Sequence, residues 1–238
     1  MAKPLLERQV SLIEHLTSGT AIGGSAPEGI DRALLWVEAR FSYAKRMEKI
    51  NAVLPKTFEL LGSRRDALVC AFIEGCPPTT LSRLENARQF YRFLISCWLR
   101  EDPDPPYLRD VAACELACAE ADADPERQTA HRVTSAERLD RGGFRRCPNV
   151  ILQRCAYDVR PIFEAGPEKA VPVKRDTPLV IAIPPGADSP EVFEVVPTIF
   201  NLLAVLDDWT DPHALPAEPE FANLLADLTS RGLIEVRQ

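Results

Sequence analysis

Apolar and polar positions change rhythm near the middle of the chain. In the first hundred residues apolar side chains recur every three or four positions, the period of an α-helix with one buried face. In "GIDRALLWVEARFSYAKRMEKI", Ile30, Leu34, Val37, Phe41 and Ala44 form such a stripe, opposite Glu38, Arg40, Lys45 and Glu48. Ser25 and Glu28 make a capping-box start there, with Pro27 in the first turn. A second helix is predicted in "TTLSRLENARQFYRFLISCWLRE", striped by Leu81, Leu84, Tyr91, Leu94 and Trp98 and stopped by Asp102-Pro103-Asp104-Pro105-Pro106. "PYLRDVAACELACAEA" begins another, apolar on most faces except at Asp110 and Glu115. With shorter helices near 4–17 and 55–75, the pattern predicts an all-helical bundle over residues 1–123.

Beyond Asp122 the helical period fades. Residues 124–147 are polar, include Gly142-Gly143 and read as a linker. Strand-like runs follow in "VILQRCAYDV" and "PLVIAIPP", then a short extended piece near 191–195 leads into the helix of "PTIFNLLAVLDDW". "DPHALPAEPE" is a turn-rich connector. In "FANLLADLTSRGLIEVRQ", Phe221, Leu224, Leu225 and Leu228 stripe a last helix, Gly232 ends it as a left-handed cap, and Leu233-Ile234-Val236 returns as a strand. The expected fold class is α+β: the helical bundle, then a winged-helix-like domain over 148–238 with a three-stranded sheet plus three helices.

Charge becomes informative once it is located. Residues 191–238 hold nine acids against Arg231 and Arg237, so this stretch carries the whole net charge of -7. A nucleic acid would be repelled there, since phosphate affinity comes from Lys and Arg. Residues 137–175 are mildly basic, and a winged-helix DNA-binding transcriptional regulator is the alternative reading; Glu218, Glu220 and Asp227 on the helix that would enter the groove oppose it. The seven cysteines form no framework and the absence of a long apolar run argues against a membrane span, so a cytoplasmic, reduced protein is expected.

No catalytic or metal site is expected. His15, His131 and His213 stand apart, and no nucleophile elbow or phosphate loop occurs. Cys114 and Cys118 share a helix face and with Cys147 or His131 offer only a weak zinc pattern. Strand addition to a sheet edge is the chemistry that remains. In the strand, Val192, Glu194 and Val196 point one way while Phe193 and Val195 point the other. Together with Phe221, Leu224, Leu225 and Leu228 they are the candidate peptide-binding residues, in a groove whose acidic rim favours basic guests; the stripe equally serves to cover the sheet.

Two stretches resemble known families. "PPYLRDVAACELACA" resembles the P-x-L-x-D-L-A-x-L-E-x-A signature of partner proteins of multinuclear non-haem iron oxidative enzymes that modify ribosomally made peptides. It is carried by Pro106, Leu108, Asp110, Val111, Ala112, Glu115 and Ala117, with Val111 and Cys114 where leucine is usual. "EVFEVVPTIFNLLAVLDDW" and "FANLLADLTSRGLIEV" resemble a precursor-peptide recognition element, which binds leader peptides by strand addition. The resemblance implies a non-catalytic subunit forming a heterodimer with the iron enzyme, with no cofactor on this chain and iron on the partner, and it is nearest to the thiaglutamate (pearlin) pathway. Within that reading Pro105, Pro106, Tyr107 and Arg109 are candidate partner-binding residues, in a segment that equally serves as a helix stop and start.

Overall fold

The computed structural model describes residues 6, 7, 9, 10, 12, 31–78, 80–123, 143–167, 171–214 and 219–237. The expected capping box at Ser25 and Glu28, most of the linker, His15 and His131 lie outside these residues. The fold is mixed helix and sheet, and the chain divides into two compact units, Met1–Ala112 and Ala113–Gln238.

The first unit contains helices α1 (Arg32–Asn51), α2 (Pro55–Leu61), α3 (Arg65–Gly75) and α4 (Arg83–Trp98). Asp31 caps α1, which starts at Arg32, by accepting the Ala33 N–H at 2.8 Å. Pro55 opens α2, where its missing N–H would be unpaired anyway, and Ser82 caps α4. The core holds Phe58, Phe72 and Phe90, whose rings meet at centroid distances of 5.5 and 5.2 Å. Here the expected face of α1 is reversed. Leu35, Ala39, Arg46 and Ile50 are buried, while Leu34, Val37 and Phe41 are 58%, 52% and 58% exposed. The inward face can hold a cation because Arg46 is satisfied: its Nε donates to Asn86 at 3.0 Å, its Nη1 to the Cys76 carbonyl, and its Nη2 to Gln89 at 3.1 Å. In α4 the buried stripe is Ala87, Phe90, Leu94 and Trp98, with Leu81 left outside the helix at 86% exposed.

Helix α5 (Leu108–Asp122) contains the unit boundary. The second unit follows as β1 (Phe144–Arg146), β2 (Ile151–Asp158), α6 (Arg160–Ala165), β3 (Val173–Ala182), β4 (Glu191–Glu194), α7 (Pro197–Val205), α8 (Pro219–Ser230) and β5 (Ile234–Val236). The antiparallel order β2-β3-β4 is the expected three-stranded sheet. The final strand does not join it. β5 pairs instead with β1, Phe144 opposite Val236, so part of the stretch expected as linker is a strand. Helix α6, between β2 and β3, was also absent from the expectation.

Residues 177–182 of β3 are all buried, because both sheet faces are covered. Register sets Leu152, Val180 and Phe193 on one face. That face packs into a core with Leu203 and Leu206 near the end of α7, Leu225 and Leu228 of α8, and Ile234 of β5. The other face carries Cys155, Thr177, Leu179 and Ile181, and the Cys155 Sγ lies 3.7 Å from the Cys114 Sγ of α5. Gly232, at φ 71°, closes α8: its N–H bonds the Thr229 carbonyl at 3.0 Å while Leu233 reaches back to Leu228 at 2.9 Å.

Candidate functional site

The site is built on β4. Val195 donates its N–H to the Pro178 carbonyl at 3.1 Å, which extends the β3–β4 ladder by one hydrogen-bonded pair. In an antiparallel ladder such pairs alternate with pairs that do not exchange bonds. Phe193 opposite Val180 and Glu191 opposite Ala182 therefore bond inward, whereas Val192 and Glu194 turn their N–H and C=O groups away from β3. Among the described residues no strand pairs with that outer side of β4.

Beside this edge lies a groove of about 600 Å³ between β4 and α8. Val180, Ala182 and Leu233 contribute apolar lining, and Phe193, Val195 and Ile199 meet Leu224 and Leu228 across it. One end is shaped by Pro184 and Pro185. Their turn is closed by Ala187 donating to the Pro184 carbonyl at 3.0 Å, with Gly186 at φ 85°.

Of the candidate residues, Phe193, Glu194, Val195, Val196, Leu224 and Leu228 line the groove; Val192, Phe221 and Leu225 do not. Val192 sits on the opposite sheet face, opposite Ile181. Leu225 is 5% exposed within the core and Phe221 packs against that core. Val180 and Ala182 escaped sequence reasoning because their place depends on strand order; Glu191 was legible, being two residues before Phe193.

The acidic rim is largely neutralised. Glu194 points to the face away from Phe193, where Arg160 Nη2 reaches it at 2.6 Å and Arg175 Nη2 at 2.8 Å. The same two guanidiniums hold Asp158, at 2.8 and 2.6 Å. The hydrogen bond from Arg160, aided by Arg175, outweighs burial and pulls the Asp158 carboxyl down to about 2. Arg175 likewise holds Glu194 below the usual carboxylate range. Asp227 pairs with Arg231 Nε at 2.8 Å.

The candidate docking residues form a separate group in the first unit. Pro106 and Arg109 are exposed and Pro105 and Tyr107 half-buried, beside an Arg64–Asp104 contact of 3.6 Å. Glu115 is buried at 5% exposure.

No group of three or more His, Cys, Asp or Glu side chains gathers as a metal site among the described residues. His213 is exposed, and Cys147 belongs to the core. Burial pushes the Cys147 thiol up to about 12 and, with Glu115 adding to it, the Cys118 thiol up to about 11, which opposes the thiolate that a metal requires. No described helix is long and apolar enough to cross a membrane.

A family model described as SCO6045-like, C-terminal domain, matches residues 6–96, a span that ends within α4. No match was found among the curated proteins.

Proposed function

We propose that this chain is a non-catalytic partner protein that binds the leader of a ribosomally made precursor peptide and presents its cysteine-containing end to a multinuclear iron oxidative enzyme, with which it forms a heterodimer. The observation that carries this reading is the outward-facing backbone of Val192 and Glu194 beside an apolar groove. An extended guest pairs with that edge through main-chain hydrogen bonds and sets alternate side chains into the groove. Antiparallel addition continues the pattern of the sheet.

Tethering then does the work. A leader held on this chain raises the effective concentration of the modifiable end at the partner's iron without any catalytic group here. The helical unit supplies the docking surface: the Pro105–Arg109 segment and the exposed Leu34, Val37 and Phe41 face of α1 both suit an enzyme partner. Within this reading the thiaglutamate pathway is the particular assignment, resting on the resemblance of residues 106–117 and 191–236. The DNA-binding alternative gains no support from α8, whose Glu220 and Asp227 are exposed.

The test is co-purification of the chain with a neighbouring-gene iron protein, together with fluorescence anisotropy of a labelled leader from a short cysteine-containing peptide encoded nearby. Complex formation and saturable leader binding are expected. Binding of duplex DNA but not of leader overturns the proposal.

A further inference from the structure

We propose that Glu191 selects guests with a basic residue C-terminal to their apolar anchors. This inference rests on the peptide-binding reading of the same groove. Strand alternation puts the Glu191 side chain on the sheet face of Phe193 and Val195, the face that lines the groove, and Glu191 is itself part of that lining. The other two acids of the rim are committed elsewhere. Glu194 lies on the far face between Arg160 and Arg175, and Asp227 is tied to Arg231. Glu191 is exposed and has no ion-pair partner among the described residues. The groove is thus mostly apolar, its Asp227 and Arg231 are paired with each other, and one uncompensated negative charge stands at the first residue of β4 near the Pro184–Pro185 turn.

Direction follows from the sheet. A guest antiparallel to β4 passes Val195 first, then Phe193, and reaches Glu191 with residues C-terminal to those anchors. A Lys or Arg at that point meets a carboxylate; an acidic residue meets repulsion.

The probe is a displayed library of random peptides selected on the full-length chain and on Glu191→Lys, whose fold is checked by circular dichroism and, at this exposed site, is expected to be unchanged. Selected peptides are expected to show alternating apolar residues followed by Lys or Arg on the wild type, and by Asp or Glu on E191K. For one selected peptide measured by anisotropy, Glu191→Gln is expected to weaken binding up to about fivefold, the range of an exposed ion pair, with the difference vanishing in high salt. An apolar pattern without a charged position, or the same basic preference on both proteins, overturns the role of Glu191 and leaves the peptide site standing. Selection of no peptide at all overturns both.

Discussion

Val195 gives its N–H to the Pro178 carbonyl at 3.1 Å, and Pro178, having no N–H, gives nothing back. The β3–β4 ladder stops there, and the chain turns from Val196 into α7. This half-made pair fixes the parity of β4, and parity decides which backbone groups face outward.

Replacing an outward N–H should therefore separate binding from folding. Proline at an outward-facing edge position removes a donor that no ladder bond uses. Val192→Pro is expected to stay folded, with a stability loss of about 1–2 kcal/mol from lost valine packing and backbone adjustment, yet to lose leader affinity at least about tenfold, the effect of a main-chain bond of ~1.4 kcal/mol. Phe193→Pro, which breaks an inward pair, is expected to unfold the sheet. Urea melts and leader anisotropy on both variants check this.

The faces of α1 were only half legible in the sequence. Both carry apolar residues at helical spacing, and periodicity alone cannot say which turns inward when the buried side includes Arg46. Leu35→Ala, at 3% exposed, is expected to cost about 2–4 kcal/mol, whereas Leu34→Ala, at 58% exposed, should stay within about 0.5 kcal/mol. Denaturant titration decides between the faces. By contrast β4 and α8 were readable, since alternation in "EVFEVV" and the Leu224–Leu228 stripe are local signals. The β1–β5 pair was hidden: three residues, Phe144–Arg146, become a strand only through a partner far along the chain.

The Asp158–Arg160–Arg175–Glu194 network predicts an acid response. The Asp158 carboxyl, held at about 2 when folded, sits below its unfolded value of about 3.9. Its contribution is thus present above about pH 4 and is lost as pH falls toward 2. Arg175→Ala removes one of its two guanidiniums and should move the acid unfolding midpoint upward, with only a small effect at neutral pH because solvent screens this exposed side chain. Circular dichroism across an acid titration reads both effects.

Thiol reactivity should follow burial. Cys70 is exposed and is expected to react first with an aromatic disulfide reagent at pH 8. Cys147, raised to about 12, and the buried Cys114 and Cys155 should react only on denaturation. Rapid labelling of Cys147 in the folded protein contradicts the core described above.

Amide hydrogen exchange at β4 addresses the account most directly. Without leader, Val192 and Glu194 amides should exchange quickly while those of Phe193 and Val195 are protected; adding leader should slow Val192 and Glu194 by about tenfold or more while leaving the inward pair unchanged. If the Val192 and Glu194 amides are already protected in the free protein, or stay fast when the leader is bound, the open edge is not where the guest strand sits.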